Sequence, residues 1–222
     1  MRIQETSSAS LSRGSQWLPV GQRIALGCAV LATLVAVAVA AAAPVSSRTL
    51  SARLAKSGRG EAKFVERITD PLGEPHERSG KVALEKGQRV RLDYGSQGEA
   101  LTLRPDGGEW LQPDLGQMIR LGPAGSEVTR IWQLLVGGGG DGLVERSRGT
   151  RKWTLIPAPG DAVADSAYID LDASGLPVRL VVFLGPEQSI EYRFQAWRFV
   201  AARGRSAFVL TPKPGMQVIE AH

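Results

Sequence analysis

The sequence predicts a mainly β protein: an unclosed antiparallel β-barrel, that is, a curved sheet of about ten or eleven strands with a few short helices. Three observations carry this. Glycine and proline number 26 and 13 among 222 residues, against three methionines, a balance that favours many turns over helical bundles. Arg89-Val90-Arg91-Leu92-Asp93-Tyr94 alternates strictly, with Val90, Leu92 and Tyr94 on one face and three charged side chains on the other. Turn signals recur between such segments, and beyond residue 43 there is neither an internal repeat nor a linker long enough to divide a second domain.

The chain divides into residues 1–43, a signal peptide or N-terminal membrane anchor, and a single domain over residues 44–222. Met1 to Gln22 is polar and serine-rich, Arg23 is a basic flank, and Ile24 to Ala43 contains no charged residue. A basic flank, an apolar run and small residues form the pattern of a secretory signal, with Ala38-Val39-Ala40 and Ala40-Ala41-Ala42 as cleavage candidates. The competing reading is a retained anchor, since twenty residues at 1.5 Å each span about 30 Å. Both readings place the domain outside the cytoplasm, in the periplasm if the segment is cleaved and at the inner membrane if it is not. Ala25-Leu26-Gly27-Cys28 is a chance likeness to a lipoprotein acylation box, because most of the apolar run follows the cysteine. Cys28 is the single cysteine, so a disulfide framework and a thiolate zinc site are excluded. Cleavage removes three arginines and one glutamate, taking the net charge from +5 to +3, too diffuse to name nucleic acid as the partner.

Along the domain, Ser47 to Lys56 reads as a short helix with Leu50 and Leu54 on one face, stopped by Gly58 and Gly60. Ala62 to Ile68 and Gly80 to Leu84 read as strands joined by a polar loop. Gly87 marks a tight turn into Arg89–Tyr94. Leu101 and Leu103 repeat the alternation, and Asp106-Gly107-Gly108 is a hairpin signal leading to Glu109-Trp110-Leu111. A second helix is expected from Ser126, its cap, through Val128, Ile131, Trp132 and Leu135, ending at Gly137 to Gly140. Arg151 to Ile156, Tyr168 to Leu171, Val178 to Leu184, Ser189 to Phe199 and Phe208 to Leu210 complete the strands.

Residues from about Phe64 to Glu220 resemble the periplasmic lipoprotein-carrier family, the LolA-like proteins. The resemblance rests on the order and spacing of several pieces: Gly80 through Tyr94 without a gap, Asp106-Gly107 with Trp110, and Leu134-Leu135-Val136-Gly137. Ile169-Asp170-Leu171-Asp172 with Gly175-Leu176-Pro177, and Phe208 through Pro212, Pro214-Gly215 and Val218-Ile219, continue it. The family fold is an unclosed barrel whose helices form a lid over an apolar cavity for acyl chains. The resemblance therefore implies a carrier that moves lipoproteins from an inner-membrane ATP-driven exporter to the outer membrane and an acceptor there. It implies a monomer with no cofactor, no metal and no nucleic-acid partner.

Alternation and resemblance together nominate the cavity lining: Val82, Leu84, Val90, Leu92, Tyr94, Leu101, Leu103 and Trp110 from the first half, and Ile169, Leu171, Leu180, Val182, Ile190, Tyr192 and Phe194 from the second. The lid is Val128, Ile131, Trp132 and Leu135, with Gly137 to Gly140 as its hinge. The competing readings are an ordinary packed core for the lining and a helix docked permanently on the sheet for the lid. Treated as a detachable lid residue, Trp132 is expected to tolerate aspartate with loss of acyl binding but not of the fold. Lys86-Gly87 stands where the family carries arginine then proline, the arginine latching the lid. Lysine supplies the charge but not the planar fork, which leaves Arg89 and Arg91 as further latch or docking candidates. Burial of one sixteen-carbon chain is worth roughly 12 kcal/mol, so acyl chains do not cross an aqueous compartment unaided.

Catalysis is not expected. His76 falls in a polar loop and His222 is the last residue, no GxSxG occurs, and Gly137 to Gly140 lacks the Lys-Ser/Thr of a phosphate loop. Asp170 and Asp172 read as solvated charges on an edge strand. A membrane-tethered envelope protein that binds lipid or lipoprotein without shuttling is the alternative function.

Overall fold

A computed structural model describes residues 48–69, 75–95, 97–123, 131–132, 135–137, 143–157, 166–184 and 187–221. The proposed signal or anchor, the expected cap Ser126, the lid residue Val128 and hinge residues 138–140 lie outside the described residues. Among the described residues no helix is long and apolar enough to cross a membrane.

Helix α1 (Arg48–Ser57) buries Leu50 and Leu54, the pair picked out by their helical spacing. It ends at Gly58, whose positive φ of 94° lets its N–H reach the Leu54 carbonyl at 2.7 Å. Twelve strands follow: β1 (Arg59–Thr69), β2 (His76–Glu85), β3 (Arg89–Tyr94), β4 (Glu99–Arg104), β5 (Gly107–Gln112), β6 (Gln117–Leu121), β7 (Leu143–Gly149), β8 (Lys152–Pro157), β9 (Ala167–Leu171), β10 (Pro177–Phe183), β11 (Ser189–Val200) and β12 (Gln217–Ala221). They form one sheet in the order β12-β6-β5-β4-β3-β2-β1-β11-β10-β9-β8-β7, unclosed because β12 and β7 are its two ends.

The expected fold class is what the structure shows, with three corrections. The sheet has twelve strands, because β6, β7 and β12 join those read from the sequence. It is not wholly antiparallel, since β12 pairs parallel with β6. Phe208 to Leu210 is no strand: Arg205–Phe208 is a 3₁₀ turn, and the chain crosses the outer face there instead of pairing. Two smaller corrections concern individual residues. His76 is the exposed first residue of β2, paired with Ile68, not part of a loop. Asp170 sits on the interior strand β9 between Arg148 and Arg179, at 3.5 and 3.6 Å, while Asp172 accepts the Ser174 and Leu176 N–H groups in the following turn.

Register puts one face of β1 to β4 and of β8 to β11 on a common core. Phe64 stands between Gly80 and Phe194, and Leu180 between Ile169 and Tyr192. Leu103 of β4 and Leu155 of β8 belong to the same apolar cluster although six strands separate theirs. Only a sheet curved onto one face can bring them together. α1 lies on that inner face: a Cβ on Gly60 would sit 3.0 Å from Leu54. Gly80 is demanded by the same packing, as a Cβ there would collide with the Asp93 carbonyl and stand 2.9 Å from the Phe64 ring.

The outer face of β3 to β6 is covered by a strap, residues 203–216. Glu85, almost fully buried, accepts the Arg203 and Gly204 N–H groups at 2.9 and 3.0 Å. Arg91 donates to the Ala207 carbonyl at 3.0 Å and Arg104 to that of Phe208 at 2.6 Å. Leu210 and Met216 close a second, smaller apolar cluster on Ala100, Leu111 and Met118.

Candidate functional site: the apolar inner face

All the nominated lining residues lie on the inner face by strand register. All but Leu101, Trp110 and Ile190 are buried, which requires cover from outside the sheet, and that cover is present. Residues 131–132 and 135–137 are helical, and Ile131, Trp132, Leu135 and Val136 are buried in the same cluster as the lining. Trp132 is 0 % exposed and packs edge-on against Tyr192, ring centroids 5.0 Å apart, and Phe194, 5.8 Å apart.

Among the described residues Trp132 and its neighbours fill part of the inner face. Two open clefts, of about 430 and 510 Å³, are lined chiefly by outer-face residues. Trp132 is core as well as cover, which corrects the expectation that aspartate is tolerated there: a carboxylate among aromatic rings would disturb the fold itself.

A buried polar group interrupts the lining toward the Thr69 end of β1, away from the α1 contact at Gly60. Glu66, 1 % exposed, accepts the Tyr94 hydroxyl at 2.9 Å and two Arg78 donors, at 2.5 and 2.9 Å. Arg78 lies over the Tyr94 ring, 4.2 Å from its centroid, and also donates to Glu99, which accepts the Trp110 indole N–H at 2.9 Å. Burial pushes the Tyr94 hydroxyl well above the ordinary tyrosine range, reinforced by Tyr192 and Glu66. Burial does the same to Tyr192, with Glu66 next in effect. Trp132 Nε1 lies near enough to the Tyr192 oxygen to favour its ionised form, yet makes no hydrogen bond of ordinary geometry. Glu66 and Phe64 escaped the sequence reading, although Ala62, Phe64, Glu66 and Ile68 alternate within a segment already read as a strand.

The latch candidates are occupied elsewhere or exposed. Lys86 is exposed at the β2–β3 turn. Arg89 pairs with Glu85 at 3.2 Å. Arg91 is engaged by Asp93 and the Ala207 carbonyl, on the outer face. The turn residue that approaches the lid is Gln88, at positive φ after Gly87: a Cβ on Gly137 would meet Gln88 Nε2 at 2.9 Å and Cγ at 3.5 Å. No sequence signal marked Gln88, because its role depends on where the lid ends.

Chemically, this face offers apolar surface together with one polar group, the Glu66, Arg78 and Tyr94 cluster. Among the described residues no three His, Cys, Asp or Glu side chains are grouped to hold a metal.

No family model matches the chain, and no curated protein matches it. Solved structures do. An uncharacterized conserved protein from Thermus thermophilus is 13% identical, with 79% of this chain and 99% of that one covered and a TM-score of 0.44. A LolA superfamily protein from Nitrosomonas europaea is 9% identical, with 75% and 98% covered and a TM-score of 0.44. A putative outer membrane lipoprotein-sorting protein domain from Vibrio parahaemolyticus is 10% identical, with 73% and 95% covered and a TM-score of 0.39. The family resembled by the sequence is thus among the solved structures this chain is similar to.

Proposed function

We propose that the protein binds the acyl chains of lipids or lipoproteins on the inner face of the unclosed sheet, and that it carries lipoproteins from the inner to the outer membrane. One observation carries the binding: an apolar lining is capped by short helical pieces, residues 131–132 and 135–137, that belong to no strand. Such a cap can withdraw without breaking the sheet's ladders, and an acyl chain can take the space of Trp132. The exchange replaces one buried apolar surface by another, so binding and release remain close in free energy. An inner-membrane ATP-driven exporter and an outer-membrane acceptor are the partners this role requires.

The uncharged run Ile24 to Ala43 favours a second reading, in which the same binding face is tethered to the inner membrane. Mass spectrometry of the mature N-terminus separates the two. Loss of the run supports the shuttle, and its retention removes it.

Binding itself is tested by tethering the lid. Gln88→Cys with Gly137→Cys, in a Cys28→Ser background, places two thiols across the lid's end, where a Cβ on Gly137 would lie 3.5 Å from Gln88 Cγ. The oxidised protein should lose binding of a fluorescent fatty-acyl probe and recover it on reduction. Equal binding in both states defeats the proposal.

A further inference from the structure

We infer that the outer face carries a phosphate-binding cleft where β1 and β11 part at a bulge. The register of this strand pair shifts between Glu61 and Lys63, and Ala196 opposite takes a positive φ of 55°. The parting opens a cleft of about 430 Å³ onto which cations from four places converge: Arg59 and Lys63 of β1, Lys81 of β2, Arg198 of β11 and Arg203 of the strap. A neighbouring cleft of about 510 Å³ shares Lys63, Lys81 and Asp93, so the charged surface continues along the sheet.

The two acids in the cleft do not neutralise it. Glu61 lies between Arg59 at 2.8 Å and Arg198 at 2.5 Å, and those three side chains together keep one positive charge. Asp93 is gripped by Arg91, which lies outside the lining. Lys63, Lys81 and Arg203 make no side-chain ion pair among the described residues. Arg59 is 6 % exposed and its Nη1 has no hydrogen-bond partner among the described residues, the Glu85 carboxylate standing off at 3.9 Å. A buried guanidinium with an unused donor, among the residues lining a cleft of such cations, is suited to a doubly charged, many-oxygened anion. Phosphate is that chemistry, whether in a phospholipid headgroup or in a soluble phosphate ester. The site lies across the sheet from the acyl-binding face and stands independently of it.

The test titrates the full-length protein with glycerol phosphate, and separately with phosphatidylcholine vesicles with and without phosphatidylglycerol, in about 0.1 M salt, where diffuse charge is screened beyond about 10 Å. Lys63→Gln/Lys81→Gln/Arg203→Gln is compared with Lys56→Gln/Lys152→Gln/Lys213→Gln, which removes the same charge from exposed positions elsewhere. The first variant should bind about tenfold more weakly or worse while the second matches the parent protein. Binding of the soluble ester identifies a free phosphate ligand, and binding only of the anionic vesicles identifies a headgroup; both support the site. Equal weakening by the two variants, or no binding of either probe, overturns it.

Discussion

Trp132 is a core residue, and the proposed binding would make it a gate as well. It is wholly buried against Tyr192 and Phe194, so truncation to alanine should cost about 3–5 kcal/mol, read as a lowered urea midpoint. A side chain that only fills a core would leave it there. A residue standing where the ligand goes predicts a second effect: Trp132→Ala should bind a short-chain acyl probe more tightly than the parent, because part of the occupant is already gone. Loss of stability with unchanged or weaker probe binding would assign Trp132 to the core alone. Its helical spacing with Ile131 and Leu135 was legible in the sequence. Its depth was not, because periodicity gives a face and not the distance to the opposite wall. Glu66 illustrates the complementary failure: alternation pointed it inward, but a carboxylate in an apolar row reads as an outward residue until Arg78 and Tyr94 are seen beside it.

Elements were most legible where a strand buries one face and solvates the other. Arg89–Tyr94 matches β3 residue for residue, and the α1 pair Leu50 and Leu54 is buried as expected. β6 and β12 were missed because each has five residues and pairs at the sheet's end, where little alternation is enforced. Outer-face charges also bind elements together. On β11, Glu191 accepts from Arg179 of β10 at 2.9 Å and from Arg193 at 2.6 Å, and donation by Arg179, ahead of the opposing effect of burial, lowers its pKa from 4.5 to about 2. A depressed carboxylate stabilises the fold above its unfolded pKa and loses that contribution as pH falls through the folded value. Glu191→Gln should therefore be less stable than the parent at neutral pH by about 1–2 kcal/mol after solvent screening. The difference should close between about pH 4.5 and 2, measured as denaturant midpoints across that range. A gap that persists at pH 2 would mean packing, not charge, sets the loss.

At the scale of the whole molecule, the sequence conveyed the curved sheet but not the strap that backs it. The inner face follows from local alternation summed over strands. The outer cover depends on contacts such as Arg104 to Phe208, 104 residues apart, which no local pattern encodes. Phe208 and Leu210 looked like strand residues because they are apolar; they are apolar because they roof β3 to β6. The two faces therefore differ in how they depend on the chain's end. A stop codon after Arg203 deletes Phe208, Leu210 and β12, strips Arg91 and Arg104 of their carbonyl partners, and uncovers Ala100, Leu111 and Met118. Each large apolar side chain removed forfeits about 1.5–3 kcal/mol of burial, against a total stability of about 5–15 kcal/mol for a domain. The loss should fall unevenly. Hydrogen exchange should quicken in β4, β5 and β6, while amides in β1, β2, β10 and β11, held by the inner cluster and their own ladders, stay protected. Uniform loss of protection would show instead that the strap and the inner core fold as one cooperative unit, and that the binding face cannot open without loosening the sheet behind it.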